Sequence, residues 1–198
     1  QKCVRSFAAL YGFFHDCLAG IVVDVLLEQR FYVCQGEKEL QIENRLFFNR
    51  PWNMLKWCMP LQVENPVTHA ESAYGITRRQ QEHVKMPHSE FYMHRYVDIA
   101  SPDGQGITLA NNSRYSFGLN ENRLELVLAR SSMYAQGNNV NWYDPLETYD
   151  YADWGKIEFK LALLPHGRKN TAVEWNMLAK RLDEPHQYLM DHCQKGSI

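Results

Sequence analysis

The chain has 198 residues, of which 45% are hydrophobic and 22% are charged, and its formal net charge is -2. These values are typical of a soluble globular protein with one substantial core. The near-neutral charge gives no electrostatic reason to expect binding to nucleic acid or to an anionic membrane. The longest apolar run, AGIVVDVLL, is interrupted by Asp24 and is too short to cross a bilayer. We therefore expect neither nucleic acid nor a membrane as a partner.

The first part of the chain shows the two-residue period of β-strands. VRSFAALYGFF near the start is interpreted as a strand, with a helix as the alternative. GIVVDVLLEQRFYV predicts a second strand, and the turn QGEK leads into ELQIENRLFF. In that segment one face carries Leu40, Ile42, Leu46 and Phe48, and the other carries Glu39, Gln41, Glu43 and Arg45. This alternation predicts a half-buried antiparallel strand.

Later segments repeat the pattern. RYVDIA and GITLANN flank a Pro-Asp-Gly turn and predict a hairpin. RLELVLAR places Leu124, Leu126 and Leu128 on one side, and KIEFKLALLPH does the same with Ile157, Phe159, Leu161 and Leu163. Between these two strands lies the polar loop 131–154, rich in Asn, Asp and Tyr. Loops longer than about 15 residues in compact domains are usually functional or cover another surface.

One helix is predicted near the end, in TAVEWNMLAKRLDEP. Thr171 and Glu174 have the spacing of a capping box, and Pro185 lies beyond the predicted end. Val173, Met177 and Leu178 are predicted to form its apolar stripe. No repeat, low-complexity tract or linker divides the chain. We therefore predict a single domain over 1–198, a mainly β antiparallel sandwich with one late α-helix.

The stretch RYVDIASPDGQGITLANNSRYSF, residues 95–117, contains the most conspicuous polar cluster. Ser101-Pro102-Asp103-Gly104 is interpreted as the hairpin turn, with Val97 and Ile99 facing one way and Asp98 the other. The following Asn-Asn-Ser, residues 111–113, is interpreted as a second, partly left-handed turn. It also matches a glycosylation sequon, but such triplets are frequent by chance. We predict that this cluster is architecture and not a site.

The cysteines indicate a reducing compartment. They are odd in number and scattered, and no pair has CxxC spacing: Cys3, Cys17, Cys34, Cys58 and Cys193. Reduced thiols in the cytosol explain this pattern, so we expect a cytoplasmic location. The chain begins with Gln and not with Met, which we interpret as a sign of a fragment.

Patterns for catalysis and metal binding are weak throughout. His83, His88 and His94 lie five and six residues apart, too widely spaced along a strand to share one ion, and His186, His192 and Cys193 fit no standard ligand spacing. A solvated acidic loop explains the series Asp144, Glu147, Asp150 and Asp153 better than a glycosidase carboxylate pair. No nucleophile elbow or phosphate-binding glycine loop is present. We expect no catalytic residue and no metal ligand in this chain.

Four strings, read in order, nevertheless indicate a family. They are GEKELQIENRLFFNRPWNMLKWCMPL, MHRYVDIASPDGQGITLANNSRYSF, NRLELVLARSS and, after an acid-rich loop, IEFKLALLPH. Together they resemble the C-terminal β-domain of glycoside hydrolase family 38 α-mannosidases, in which a Trp- or Tyr-Val-Asp strand leads to an Asn-Asp-Ser-like turn and a later strand ends in Pro-His. The similarity extends from about residue 31 to residue 185. It implies a galactose-mutarotase-like β-supersandwich.

The resemblance also implies what the whole protein does. Members are retaining, zinc-dependent α-mannosidases that hydrolyse terminal α-mannosides of glycans. Their aspartate nucleophile and zinc lie in an N-terminal catalytic domain that nothing in this chain resembles. The chain is therefore expected to be an inactive fragment without a cofactor of its own. Its expected partners are that catalytic domain and mannose-containing glycans.

In some family members the C-terminal part contributes a polar residue to the rim of the active site. The corresponding candidates are Arg130, at the strand end that enters the loop 131–154, with Asn138 and Asn139. The planar fork of an arginine can hold two sugar hydroxyls. The competing interpretation is an ion pair of Arg130 with Asp144 or Asp153.

Two other classes of function remain open. A stand-alone carbohydrate-binding or mutarotase-like module would use an aromatic platform drawn from Trp142, Tyr143, Tyr149 or Tyr151. A homo-oligomeric interaction domain would pair the open edges of a truncated sandwich.

Overall fold

A computed structural model describes residues 3–6, 25–80, 90–120, 122–133, 149–168 and 170–183. These ranges contain the helix α1, Ala172–Asp183, and twelve strands. The strands are β1 Cys3–Ser6, β2 Val25–Cys34, β3 Leu40–Phe48, β4 Met54–Pro60, β5 Val67–Ser72, β6 Gly75–Gln80, β7 Phe91–Tyr92, β8 Tyr96–Ala100, β9 Gly106–Asn111, β10 Ser116–Asn120, β11 Arg123–Arg130 and β12 Gly155–His166. The predicted mainly β chain with one late helix is confirmed. Among the described residues, no helix has both the length and the hydropathy of a membrane span.

The strands form two sheets in which every described pair is antiparallel. The larger sheet has eight strands in the order β1-β2-β3-β12-β9-β8-β5-β6, and the smaller has four in the order β4-β11-β10-β7. Strand β12 lies in the middle of the larger sheet, because it pairs with β3 along one edge and with β9 along the other. It therefore joins β1, β2 and β3 to β9, β8, β5 and β6. The hairpins predicted around QGEK and around Pro-Asp-Gly are β2–β3 and β8–β9.

The main core lies between the two sheets. The larger sheet contributes residues such as Ile42, Val97 and Leu161, and the smaller contributes Leu124 and Leu126 to the same cluster. The predicted inward faces of β11 and β12 are confirmed, with Ile157 at the margin of the core and the rest of both sets buried. Burial of aliphatic side chains from both sheets stabilises the sandwich, since each contributes about 1.5–3 kcal/mol.

Two polar residues in the segment 39–48 depart from the predicted alternation. Asn44 shares the buried face with Ile42 and Leu46, where its side-chain oxygen accepts a 2.8 Å hydrogen bond from the Gln29 amide on β2. Glu39, predicted on the exposed face, is buried and lies 3.1 Å from the Arg181 guanidinium of α1. A paired polar group can be buried at low cost, which is why these positions escape an apolar pattern.

Helix α1 covers the outer face of the larger sheet. Its buried residues Trp175, Leu178 and Ala179 pack against a second cluster that includes Tyr96 of β8 and Ala162 of β12. As predicted, the capping box is present, because the Glu174 carboxylate accepts the Thr171 backbone N–H at 2.8 Å. The predicted apolar stripe is wrong in part.

Of the three residues predicted for the stripe, only Leu178 is buried. Val173 is 67% exposed and Met177 is 55% exposed. The helix carries two apolar stripes, and the one that contains Trp175 faces the sheet because an indole buries more apolar surface.

The hairpin turn in residues 95–117 forms as predicted, but the second turn forms differently. The hairpin turn closes through Gly104 N–H to Ser101 O at 2.9 Å, and Gly104 has the positive φ of 98° that suits glycine. Asn111 does not have a positive φ. Its buried side chain instead accepts the Arg114 N–H at 2.6 Å and donates to His94 O at 3.1 Å. Side-chain hydrogen bonding, not left-handed backbone, makes this turn.

Candidate functional site

Three segments meet at one end of β12, where the loop 131–154 begins and ends. Ser131 follows β11 and is fully buried. It connects to the turn between β3 and β4, because its backbone carbonyl accepts the Trp52 N–H at 2.8 Å and its N–H donates to Asn53 O at 3.0 Å. Its hydroxyl also donates to the Arg50 carbonyl. The turn that carries Trp52 is therefore fixed to the start of the loop.

The two described ends of the loop are also joined to each other. Ala152 N–H donates to Ser132 O at 2.9 Å, and Met133 and Tyr151 form an antiparallel bridge. Residues 134–148, between these ends, lie outside the described part of the chain. The bridged ends form a base that holds Tyr151 and Trp154 near the turn around Trp52.

An aromatic platform results from this convergence; we define it as Trp52, Tyr151 and Trp154. The Trp52 and Tyr151 ring centroids are 5.9 Å apart with an edge-to-face angle of 84°, and Tyr151 stacks on Trp154 at 5.2 Å and 27°. Trp52 is 52% exposed and Trp154 is 45% exposed. Both indoles therefore present apolar surface to solvent from a fixed position.

The backbone at the platform is in an unusual conformation. Trp52 has a φ of 60° and Asp153 a φ of 49°, both in the left-handed region. Such values are uncommon for residues with a side chain, and they cluster at functional sites when the surrounding structure enforces them. Here the hydrogen bonds of Ser131 hold the backbone of Trp52 in this conformation. The carboxylate contacts of Asp153 hold its own backbone in the same way.

Asp153 provides the electrostatic link between the platform and β11. Its Oδ2 accepts the Arg130 backbone N–H at 3.0 Å, and its Oδ1 lies 3.7 Å from the Arg114 guanidinium. Arg114 also donates to Leu128 O at 2.6 Å, at the residue skipped in the register between β4 and β11. The guanidinium of Arg114 stacks 5.2 Å from the Phe159 ring. Asp153 is thus occupied by structural contacts.

The candidate residues from the sequence have different outcomes. Arg130 is exposed at the end of β11, and the contact that joins it to Asp153 uses its backbone N–H. Asn138 and Asn139 lie outside the described residues, as do Trp142, Tyr143, Asp144 and Glu147. Of the predicted aromatic residues, Tyr151 is in the platform. Sequence reasoning missed Trp154, at the end of the loop, and Trp52, for which the only available signal was an aromatic residue in the turn Asn-Arg-Pro-Trp-Asn.

Metal ligands are absent from the part of the chain that the structure describes. No three His, Cys, Asp or Glu side chains within it form a group that could hold an ion. Of the histidines considered above, His94 is described, and its Nδ1 lies 3.5 Å from Glu71. His83, His88, His186, His192 and Cys193 lie outside the described ranges.

Comparison with known proteins identifies the family. Residues 19–138 match the family described as "Glycosyl hydrolases family 38 C-terminal domain". The chain belongs to this family. The match covers more than half of the sequence and confirms the resemblance drawn from the four strings. No curated protein matches the chain.

Two solved structures are similar to this family 38 C-terminal domain. An alpha-mannosidase from Enterococcus faecalis aligns with a TM-score of 0.59 and 14% identity over 73% of the chain. A protein of glycosyl hydrolase family 38 from Enterococcus faecalis aligns with a TM-score of 0.55 and 16% identity, again over 73% of the chain. The chain covers 16% of the length of each. At these identities the likeness shows the fold alone.

Proposed function

We propose that this domain belongs to a retaining, zinc-dependent α-mannosidase that hydrolyses terminal α-mannosides of glycans. In this proposal the sandwich packs against the catalytic domain of the same protein and shapes one wall of the mannose pocket. The observation that carries the proposal is the exposed aromatic platform beside Arg130 on a family 38 C-terminal fold. The similarity to an alpha-mannosidase structure agrees with it.

The platform has the chemistry that sugar binding requires. Exposed indole faces such as those of Trp52 and Trp154 offer apolar surface to the C–H bonds of a pyranose ring. The exposed Arg130 at the adjacent strand end can donate from its planar fork to two hydroxyl groups. Together they would contact a glycan from one side, as expected of a pocket wall.

We propose that this domain does not itself cleave a glycosidic bond. A retaining glycosidase needs two carboxyl groups about 5–5.5 Å apart, one of which acts as the nucleophile. At the platform, Asp153 already accepts the Arg130 N–H and pairs with Arg114, which suits a structural role. We therefore propose that the catalytic carboxylates belong to another domain of the protein.

A zinc site needs several convergent nitrogen, sulfur or oxygen ligands. The described residues provide no such group and do not fit the metal of the family, so we assign no step of this domain to it. A cytoplasmic location remains our proposal. The scattered cysteines, none of them with CxxC spacing, support it.

A hydrolysis assay tests the first part of the proposal. We expect the 198-residue chain to show no turnover of para-nitrophenyl α-mannoside. Turnover at the rate of an intact family member would refute the division of labour proposed here.

Binding is tested with methyl α-mannoside, by following the indole N–H signals in NMR spectra. A pocket wall alone should bind weakly, with a dissociation constant above about 10 mM, and shift the Trp52 and Trp154 signals. Trp154→Ala should weaken binding about fivefold, because stacking on an aromatic ring contributes about 1 kcal/mol. Tyr74→Ala, which removes an exposed aromatic from the β5–β6 turn, is the control. Unshifted Trp52 and Trp154 signals at saturating sugar would exclude the platform as a contact surface.

The stand-alone carbohydrate-binding module is the second candidate, and the exposed platform favours it too. It differs in affinity, because a complete module needs no second wall. Calorimetric saturation at about 1 mM sugar or less would support the module in place of the pocket wall.

A further inference from the structure

A cavity of about 380 Å³ lies on the face of the larger sheet that α1 partly covers. Its floor is formed by three adjacent strands, β6, β5 and β8. Arg78, His69 and Asp98 stand opposite one another across these strands and form one row of the floor. Gln80 also lines the cavity, one pleat further along β6. The volume is within the range of about 300–1,000 Å³ typical of ligand sites.

The wall of the cavity is aromatic and rigid. The Trp175 indole lines it and stacks on the His69 ring, with centroids 5.2 Å apart and planes 24° apart. Trp175 is buried between the helix and the sheet, so its position is fixed by packing. Asn170, just before the helix, and Ser101, at the hairpin turn, complete the rim with polar groups.

Asp98, the innermost polar group of the floor, is buried and already has partners. Its Oδ1 accepts hydrogen bonds from Thr108 at 2.7 Å and from His166 Nε2 at 2.9 Å. The other ring nitrogen of His166 faces two backbone carbonyls, those of Gly104 at 3.0 Å and Arg168 at 2.8 Å. His166 and Asp98 thus form a buried polar pair beside the cavity, held in place by the backbone at the hairpin turn and at Arg168.

Asp98 therefore already has two partners inside the protein, and a ligand need not supply a cation. An anionic ligand is disfavoured because the Asp98 carboxylate lies at the floor of the cavity. Both hydrogen bonds described for Asp98 end on Oδ1, which leaves Oδ2 as the acceptor for a ligand hydroxyl. Arg78 lies two strand spacings away, about 10 Å, and can donate to the far side of the same ligand.

We propose that this cavity binds a neutral, hydroxyl-rich ring of the pyranose class. The ring would place an apolar face against Trp175 and its hydroxyls between Asp98, Arg78 and Gln80. Binding of a pyranose in this cavity depends neither on the platform nor on the proposed function. The platform lies at the Gly155 end of β12, while His166 marks the other end of that strand, about 35 Å away.

The test uses the whole chain, with methyl α-mannoside and methyl α-glucoside as probes and the Trp175 indole N–H as the NMR reporter. We expect one of these pyranosides to shift the Trp175 signal saturably. Arg78→Ala should raise the dissociation constant about tenfold, because a hydrogen bond from a charged group is lost. Arg45→Ala removes an exposed strand arginine from outside the cavity and should leave binding unchanged.

Each other outcome overturns the inference. A Trp175 signal that stays unshifted with both pyranosides shows that the cavity binds no such ring, even if Trp52 or Trp154 responds. An equal effect of the Arg78 and Arg45 variants shows that the sugar binds elsewhere. A larger, saturable Trp175 shift with inorganic phosphate assigns the cavity to anions. Because Arg78 is exposed, its variant should retain the fold, which the unshifted remainder of the spectrum verifies.

Discussion

Replacing Glu71 by Gln should destabilise the domain, because this carboxylate connects three elements. Glu71 ends the buried part of β5, and its Oε2 accepts the Arg95 backbone N–H at 2.9 Å. The Arg95 guanidinium donates to Oε1 at 2.5 Å and to Oε2 at 3.0 Å, and donates further to the Asn176 side chain of α1 at 2.8 Å. Strand β5, the entry to β8 and the helix therefore depend on one ion pair.

The size of the effect follows from the burial of the pair. The side chains of Glu71 and Arg95 are 12% and 30% exposed, between a buried pair and a surface pair. Breaking a buried pair costs about 3–5 kcal/mol, whereas a surface pair contributes about 0–1 kcal/mol. We expect Glu71→Gln to lower the free energy of unfolding by about 2 kcal/mol. For a domain of this size that corresponds to a fall in Tm of about 4–8 °C.

The loss should depend on pH. Burial raises the pKa of Glu71, but the hydrogen bonds and charge of Arg95, with a smaller contribution from His94, outweigh burial and hold the pKa below its ordinary value of 4.5. Because the folded pKa is the lower one, the stabilisation is complete above the unfolded pKa and is lost as the pH falls through the folded value. The difference between wild type and Glu71→Gln should be full near pH 7 and should shrink as the pH falls below the ordinary value of 4.5.

Urea unfolding followed by circular dichroism measures this difference at each pH. Glu158→Gln is the matched control, since hydrogen bonding to Lys156 also lowers the pKa of Glu158 but on a fully exposed surface. We expect the control to unfold like the wild type. A Glu71→Gln curve that coincides with the control near pH 7, or a difference that does not shrink as the pH is lowered below 4.5, would refute the reasoning.

Two further predictions concern packing. Leu126→Ala should lower the free energy of unfolding in urea by about 3 kcal/mol, because the side chain is fully buried between the sheets. Met177→Ala, on the exposed side of α1, should change it by less than about 0.5 kcal/mol. Similar losses in the two variants would contradict the assigned core. Gly106→Ala would place a Cβ 2.2 Å from Ile99 O and should lower the free energy of unfolding by about 3 kcal/mol or more. The Cβ of Gly75→Ala meets nothing within 4 Å, so this variant should be neutral in the same assay. An unaffected Gly106 variant would mean that β8 and β9 are not paired as described.

Much of the site was beyond sequence reasoning because its residues are far apart in the chain. Trp52 and Tyr151 meet only because Ser131 connects the β3–β4 turn to the end of β11. Asp98 and His166, 68 positions apart, meet only because β8 and β12 both pair with β9. No local period relates such residues, so their proximity depends on strand order.

The sequence by itself determined many of the strands, the β2–β3 and β8–β9 hairpins, the helix cap and the family. These features are written in short-range patterns: alternation over two residues, a glycine where φ must be positive, and a glutamate three residues after a threonine. Only the tertiary structure decided which helix face is buried, which polar residues enter the core, and which aromatic residues share a surface. Those outcomes depend on the partner that each face meets, because a side chain is buried only when a distant segment packs against it.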